Sequence, residues 1–420
     1  MKRLFLFALV VLFIFSLSGL SMATNGDNLI SIGPISRSMG GVGIAAPQDA
    51  ISAVFSNPAA MCFGPYCPGS EFNFSGTIFM PKAHTRINNT AFGPLGDTGW
   101  KTSDSDLFVI PAIGISSPIS PNLRFGLAAY GVSGMGVDYR DKFDLQPDSI
   151  PGTMSGNQDI FTQLQIMKFA PNIAYMINPN FSIGASLHVN YGALDLDDGT
   201  SSGFGVGAQI GAIYKKGPVS VGVVYVTPQS ITHKDVFDFN HDNDSDSLKL
   251  ESPQSFGVGV ALEPIQKVLL IEADVKWLDW SNAKGYDDFD WRDQWVFALG
   301  AQYKPTPNLS LRAGVNYAKN PVKEHNGWDG AFDPPVNLQG KLVNRFEYEV
   351  FRITGFPAVV QTHLTAGIGY QISKSVSLDL GYTHAFKKSV KETGTFMGAP
   401  VTVEADLKED SIDFGITWRF

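Results

Sequence analysis

Small or polar residues alternate with bulky apolar residues through the last ten positions of the chain, Ser411 to Phe420. Because successive side chains of a strand point to opposite faces, every second residue from Ile412 to the end lies on one apolar face. The same alternation recurs over most of the chain, with few helical segments to cover those faces. The pattern therefore predicts an all-β barrel whose apolar outer side is solvated by lipid.

Turn signals divide the barrel region into alternating short and long connections. Six short connections, rich in Pro, Asn, Gly or Lys, lie at 118–122, 178–180, 215–218, 263–267, 304–308 and 372–375. Seven longer polar connections lie near 84–105, 139–157, 197–202, 234–247, 284–289, 320–357 and 389–401. This count implies fourteen antiparallel strands. An even number with short turns at one end and long loops at the other is typical of outer-membrane barrels.

Charged residues within the predicted strands indicate which side faces the lumen. A charge on the lipid face at mid-depth costs about 2–4 kcal/mol, so we expect these residues to point inward. The residues concerned are Glu272, Asp274, Lys276, Arg312 and Asp379.

The amino terminus has the pattern of a secretory signal peptide, residues 1–23. Lys2 and Arg3 precede an apolar run to Leu20, and Ser21-Met22-Ala23 forms a cleavage site of the small-x-small type. A transmembrane anchor of similar length is the competing interpretation. Removing the two cations takes the formal charge from −9 to −11, which argues against a nucleic-acid partner.

Residues 24–68 do not follow the strand pattern that characterises residues 69–420. They are rich in small residues and contain one short predicted helix that ends before Asn57-Pro58. A fourteen-strand lumen is wider than its own side chains can fill, so we expect this segment to lie inside the barrel as a hatch, or plug.

Two cysteines, Cys62 and Cys67, lie close together in this segment. In an exported chain a close pair suggests a disulfide, and two free thiols are the alternative. No further ligands lie nearby in the sequence, so we predict no metal site there, and nothing in the sequence indicates a cofactor.

The chain resembles the FadL/TodX family of outer-membrane transporters for long-chain fatty acids and aromatic hydrocarbons. The resemblance rests on Arg37-Ser38-Met39-Gly40-Gly41, on Asp49-Ala50 and on Ser56-Asn57-Pro58-Ala59-Ala60-Met61, which is similar to the family's Asn-Pro-Ala hatch motif. Weaker matches lie at 125–131, 253–256 and 277–281. The cysteine pair and the long connection 320–357 depart from the family pattern.

The resemblance implies passive uptake of a hydrophobic small molecule by lateral diffusion. The ligand would leave sideways through an opening produced by an inward kink of the third strand. That strand contains closely spaced glycines, Gly131, Gly134 and Gly136 among them, and interior strand glycines often mark bulges. Glycines are also common on lumen faces of barrels, which is the plainer interpretation.

The hatch motif Asn57-Pro58-Ala59 is the first candidate for the transport path. There Asn57 would bond backbone groups freed at the opening, or the motif would simply end the hatch helix.

Cations are the candidates for binding a ligand head group. Arg345 and Arg352 lie with six aromatic residues in the connection 320–357, where they would form a landing site for an amphipathic carboxylate, unless the aromatics pack as a lid. Arg312 and Lys276 would act deeper in the lumen, unless they pair with wall acids.

The sequence thus predicts a non-enzymatic outer-membrane transport protein. A general porin or, less well supported, a lipid-modifying barrel enzyme are the alternatives. Its expected partners are a hydrophobic ligand, outer-membrane lipid and lipopolysaccharide, and the barrel-assembly machinery through the terminal Phe420. A plugged barrel can function as a monomer, and we expect one.

Overall fold

The computed structural model describes residues 24–67, 69–143, 160–239, 242 and 244–420. The predicted signal peptide, Pro68 at the end of the predicted hatch, and most of the connection predicted at 139–157 lie outside these residues. No helix in the described ranges is long and apolar enough to cross a membrane.

Strands account for most of the described chain. They are β1 (Glu71–Asn89), β2 (Lys101–Thr102), β3 (Phe108–Ser120), β4 (Leu123–Asp138), β5 (Phe161–Asn178), β6 (Phe181–Asp195), β7 (Ser201–Lys216), β8 (Val219–Val226), β9 (Gln229–Phe237), β10 (Asp246–Ser252), β11 (Ser255–Ile265), β12 (Leu269–Leu278), β13 (Gln294–Thr306), β14 (Leu309–Ala318), β15 (Asn326–Asp329), β16 (Val336–Leu338), β17 (Lys341–Val343), β18 (Thr362–Gln371), β19 (Val376–Phe396) and β20 (Ala399–Arg419). The helices are α1 (Pro34–Arg37), α2 (Ala50–Ser56) and α3 (Arg345–Thr354), with 3₁₀ turns at Pro58–Cys62, Thr90–Gly96 and Trp280–Asn282.

Fourteen of these strands form one closed antiparallel barrel: β1, β3–β8, β11–β14 and β18–β20. Each pairs with its barrel neighbours in chain order, and β20 closes the ring on β1 from Glu71↔Arg419 to Asn89↔Val401. The predicted strand number is confirmed, and all six predicted short turns join consecutive barrel strands. The apolar face of β20 points outward as predicted, with Trp418 55% and Phe420 64% exposed.

Two of the predicted long connections differ from the structure. Around 234–247, β8 ends early at Val226, and β9 pairs with β10 as a separate hairpin. Pro228, the second residue after β8, lacks the N–H that would continue the ladder. At 389–401 the chain remains in strands, which Met397 and Gly398 join with positive φ angles of 51° and 77°. That geometry suits a two-residue hairpin.

Residues 24–67 contact inward-facing side chains of strands around the barrel. The consecutive amides of residues 43–46 donate to Glu272 and Asp274 of β12 at 2.7–3.1 Å. Arg37 forms an ion pair with Asp413 of β20 at 2.8 Å. These contacts bind the amino-terminal segment to opposite parts of the inner wall.

Glycines on the inner wall let the backbone of this segment approach the strands closely. A Cβ atom on Gly222 of β8 would overlap the carbonyl of Ile44, and one on Gly314 of β14 would overlap the amide of Gly40. At these two positions the lumen glycines therefore have a packing role.

The connection 320–357, here called the outer cap, folds over the long-loop end of the barrel. Of its six aromatic side chains only Phe332 is exposed, whereas five are buried: Trp328, Phe346, Tyr348, Phe351 and Phe356. Phe351 packs against Phe356 at 5.5 Å and against Phe289 of a neighbouring loop at 5.8 Å, centroid to centroid. The expected surface of exposed aromatics is therefore wrong, because these rings form the core of a lid.

Charged groups join the outer cap to its surroundings. Arg352 is fully buried and pairs with Glu349 of its own helix and with Glu392 of β19. His325 lies between two carboxylates, with Nδ1 2.9 Å from Glu349 and Nε2 2.9 Å from Asp290. His325, Glu349 and Glu392 place donor atoms of metal-ligand type within 4.8 Å of one another. Since Arg352 donates to both glutamates, we interpret the group as an ion-pair network.

These partners shift two pKa values in opposite directions. The hydrogen bond to Glu349 raises the pKa of His325 above its ordinary value, against the opposing effect of burial. Burial alone would raise the pKa of Glu349, but the hydrogen bond from His325 and the charge of Arg352 hold it below its ordinary value. The cap therefore favours a protonated imidazole.

Docking of the cap should consequently weaken as pH rises. A raised folded-state pKa means that the stabilisation is complete below the unfolded-state value of about 6.5 and is lost above the folded-state value. Hydrogen exchange of residues 345–354, normalised for intrinsic rates, should show protection falling several-fold between about pH 5.5 and about pH 8.5.

The substitution His325→Gln should remove that pH dependence, while His84→Gln on β1 should retain it. Equal protection of α3 at both pH values in the unsubstituted protein would contradict the assignment.

Candidate functional site

The barrel wall is open between β3 and β4, the second and third strands of the barrel. Their ladder ends at Ala112↔Tyr130, although β4 continues to Asp138. Residues 108–111 of β3 pair with β1 but have no partner on β4. On its other side β4 stays paired with β5, with a register shift between Gly131 and Ser133. Val132 is the extra residue, so β4 carries a β-bulge where it leaves β3.

The amino-terminal segment supplies the partners that β4 lacks. Leu29 N donates to the carbonyl of Val132 at 3.1 Å, and Gly134 N donates to the carbonyl of Asp27 at 3.3 Å. The Ser133 hydroxyl donates to the Asp27 carboxylate at 2.7 Å. Residues 27–29 therefore act as a short substitute strand along β4.

Asp27 also joins this segment to the loop after β12. The Tyr286 hydroxyl donates to its carboxylate. Burial raises the pKa of Asp27 to about 6, although both hydroxyl bonds oppose the shift. The adjoining Gly26 has a φ of +69°, and a Cβ there would lie 2.7 Å from the Trp280 ring. The amino-terminal segment is thus held between β4 and a set of aromatic rings.

A cavity of about 670 Å³ occupies the break in the wall. We call it the wall opening. Its lining includes Ile110, Met135, Ile166 and Met167 from the strands and Leu29 from the amino-terminal segment. Val109 at its margin is 69% exposed on the outer side. The opening therefore joins the interior to the apolar belt of the barrel.

A second cavity of about 110 Å³ lies on the inner side of the same segment. This inner chamber is lined by Asn25, Asn28 and Leu29, by α2 residues and by strands β4–β8 and β11–β13. Leu29 lines both cavities. Residues 24–29 consequently form the partition between the inner chamber and the wall opening.

Two lysines, Lys168 of β5 and Lys276 of β12, line the inner chamber. Lys168 is 7% exposed. Within the described residues neither lysine forms a hydrogen bond or a close ion pair, although Lys276 interacts electrostatically with Asp274 and Glu272 of its own strand. The buried hydroxyls of Ser56 and Tyr130, which also line the chamber, have no hydrogen-bond partner either. This arrangement of donors can receive an anion.

The structure places the three predicted glycines along the wall opening. Gly131 precedes the bulge, Gly134 bonds the Asp27 carbonyl, and Gly136 follows in the section of β4 that has left β3. All three line the opening.

The hatch motif lies elsewhere on the wall. Asn57 ends α2, and its amide group donates to the carbonyls of Ile44, Ala212 and Val223 at 2.8–3.3 Å. Ser182 of β6 donates to the Ala59 carbonyl at 2.6 Å, and Pro58 begins the 3₁₀ turn that follows. Asn57 therefore binds β7 and β8, and the expectation that it bonds groups freed at the opening is wrong.

The four cations predicted to bind a ligand head group differ in whether an acidic side chain already pairs with them. Arg312 pairs with Asp379 at 2.7 Å, Arg345 pairs with Glu349 at 2.8 Å, and Arg352 is enclosed in the outer cap. Only Lys276 lines the inner chamber. A role of the three arginines in ligand binding stays a prediction without a cavity contact to support it.

Sequence reasoning missed Lys168. It lies on the inner face of β5 with Leu164, Ile166 and Ala170, and that face carries no acid within this run. The sequence signal that could have identified Lys168 is a cation on the lumen face of a strand that has no acid nearby on the same strand.

The cysteines are present as free thiols, Cys62 buried and Cys67 half-buried. Burial raises the pKa of Cys62 to about 11, which keeps the thiol protonated and unreactive at neutral pH. Arg124 donates to the Cys67 sulfur at 3.6 Å. Disulfide pairing of the two residues stays a prediction.

Comparison with solved structures finds the same architecture. The toluene transporter TodX of Pseudomonas putida superposes with a TM-score of 0.65 at 16% identity, covering 94% of this chain and 100% of TodX. A FadL homologue of Pseudomonas aeruginosa gives a TM-score of 0.65 at 17% identity, covering 95% and 100%. The toluene transporter TbuX of Ralstonia pickettii gives 0.59 at 17% identity, covering 94% and 99%.

No curated protein matches the sequence closely enough to count as a relative. Residues 27–236 and 222–327 match the family described as outer membrane protein transport protein (OMPP1/FadL/TodX). These ranges include residues 27–29 of the partition, the strands β3 and β4 beside the wall opening, and both lysines of the inner chamber. The chain is therefore an outer-membrane transport protein and belongs to the OMPP1/FadL/TodX family.

Proposed function

We propose that this protein takes up hydrophobic small molecules that carry a carboxylate, long-chain fatty acids being the leading class, by passive lateral diffusion through its wall. The observation that supports this most directly is the wall opening, which residues 24–29 and β4 separate from the inner chamber. The ligand reaches the chamber, displaces the partition and leaves between β3 and β4 into the bilayer.

Lateral exit suits an apolar cargo. Each methylene group kept out of water preserves about 0.8 kcal/mol, which an aqueous exit into the periplasm would forfeit. The outer edge of the opening carries exposed apolar side chains, Leu107 and Val109. A ligand leaving here passes from an apolar wall into hydrocarbon.

The inner chamber supports a carboxylate as the polar end of the ligand. At about 110 Å³ the chamber is much smaller than the wall opening of about 670 Å³, so we assign the head group to the chamber and the apolar chain to the opening. Lys168 and Lys276 offer two ammonium groups, and Ser56 and Tyr130 offer hydroxyls. An aromatic hydrocarbon such as toluene, for which TodX and TbuX are named as transporters, would leave these donors unused.

A general porin is the alternative function. It requires a continuous aqueous lumen, whereas residues 24–67 bind strands around the inner wall and are almost entirely buried. We propose that this segment is a hatch that closes the barrel to ions.

Asn57→Asp should loosen the hatch. The substitution replaces an N–H donor by a carboxylate facing three carbonyl oxygens. Each buried carbonyl left unsatisfied costs about 1–3 kcal/mol. In planar bilayers we expect ion-conducting openings from this variant and a silent wild type.

Asn178→Asp in an exposed turn is the matched control, because it retains the side-chain acceptor for the amide of Asn180. Silent bilayers with Asn57→Asp would argue against a holding role for Asn57, and a conducting wild type would support the porin.

Deleting Val132 should close the wall. Removing the extra residue lets β4 continue in register with β3 opposite residues 108–111. Uptake of dodecanoate by cells should fall at least roughly 10-fold, the change expected when a path loses about 1.4 kcal/mol or more. The substitution Val132→Ala keeps the bulge and should retain uptake. Unchanged uptake by a folded deletion variant would exclude this exit.

Replacing both chamber lysines, Lys168→Met and Lys276→Met, tests the head group. A charge-assisted hydrogen bond contributes about 1.5–3 kcal/mol, so dodecanoate binding should weaken roughly 10- to 100-fold. Binding of dodecanol, with the same chain length, should change little.

Lys216→Met, at an exposed position near the end of β7, is the control and should bind both probes normally. Equal losses for dodecanoate and dodecanol in the double variant would show that the lysines serve packing rather than charge recognition.

A further inference from the structure

Glu409 of β20 is a buried carboxylate with an unused oxygen. The residue is 4% exposed, and its Oε2 has no hydrogen-bond partner in the described part of the chain. Its nearby cation is Arg37, which is already engaged by Asp413 at 2.8 Å and by the Ser411 hydroxyl at 2.7 Å. A buried carboxylate with a free oxygen is costly unless a cation reaches it.

Thr24 lies directly beside this carboxylate. Its hydroxyl donates to Glu409 Oε1 at 3.5 Å, and the residue is 6% exposed. Both residues line the wall opening. Within a threonine the backbone nitrogen lies about 3 Å from the side-chain oxygen, so the nitrogen of Thr24 lies no more than about 6.5 Å from Glu409 Oε1.

Thr24 is the first residue after the predicted cleavage site Ser21-Met22-Ala23. Hydrolysis of the bond after Ala23 breaks its C–N bond. The hydroxyl of water completes the carboxyl group of the released peptide, and its hydrogen goes to the Thr24 nitrogen. At neutral pH that new amine takes up a further proton and becomes an ammonium group.

We propose that the amino terminus created at Thr24 forms a buried ion pair with Glu409, and that this pair anchors the partition across the wall opening. The partition is then held at both ends. Thr24 binds β20 on one side of the opening, and residues 27–29 bind β4 on the other. A chain that retains its leader has a neutral amide at this position and cannot form the pair, so the partition is completed only by processing.

In this pair Glu409 positions the partition. This role rests on the proposed function of the partition, but the experiments that test it do not measure transport. Amino-terminal sequencing first establishes whether the mature chain begins at Thr24. The amine is then ¹³C-dimethylated, which preserves its charge, and titrated by NMR in detergent. In wild type it should titrate about 1 pH unit or more above its value in Glu409→Gln, because the carboxylate stabilises the ammonium form.

Glu404→Gln is the matched control. Glu404 lies on the same strand but pairs with Lys391 at 3.6 Å, so the amine should titrate there as in wild type. Aminopeptidase should remove Thr24 at least roughly 10-fold faster from Glu409→Gln than from wild type or the control. This is the increase expected if loss of the ion pair raises the fraction of released amino termini about tenfold.

Three results would overturn the proposal: a mature chain that begins at another residue, an amine that titrates alike in wild type and Glu409→Gln, or equal rates of aminopeptidase digestion. If Glu409→Gln does not assemble, the pKa of the wild-type amino terminus tests the proposal by itself, because an ordinary amino terminus titrates near pH 8. A wild-type value clearly above that supports the pair, and an ordinary value excludes it. None of these readouts depends on whether the barrel transports a ligand.

Discussion

A strand that leaves its sheet inside a membrane must find new partners for its backbone groups, because hydrocarbon offers none. At β4 these partners come from residues 27–29, which bond Val132 and Gly134. The opening and the segment that closes it therefore form one structural unit. Without the segment, β4 would expose unsatisfied groups, and without the bulge the segment would have no edge to bind.

The position of that segment depends in turn on the inner wall. Four consecutive amides of residues 43–46 donate to Glu272 and Asp274. In the described part of the chain neither acid forms a close salt bridge, although Lys276 interacts with both electrostatically. A row of parallel N–H groups carries partial positive charge and binds an anionic site much as a helix start does. The inner wall therefore presents carboxylates where it binds the backbone amides of residues 43–46. Elsewhere on the wall, Arg312 and Asp379 form an ion pair with each other. The proposed head-group site uses the two cations outside this pairing, Lys168 and Lys276.

Much of the barrel could be predicted from the sequence, because its physics is local. Alternation with period two and turn residues at the short-turn end give the strands, their number and their inward faces. The errors also have local causes: Pro228 ends β8 early, and Met397-Gly398 forms a tight hairpin where a loop was expected. The bulge at Val132 was not predictable in detail, because a glycine-rich strand leaves its sheet only if another segment can replace the lost partner. That segment lies about a hundred residues earlier in the sequence.

The sequence also left two alternatives open for the outer cap. Aromatic residues next to cations suit either an exposed landing surface or a packed lid, and composition does not distinguish the two. Burial of five rings around the network of Arg352, Glu349 and His325 decides in favour of the lid. A lid with that much buried charge is costly to open, whereas the partition at the wall opening is held by a few hydrogen bonds over six residues. On the proposed transport path, the partition rather than the outer cap is therefore what a ligand's binding energy displaces.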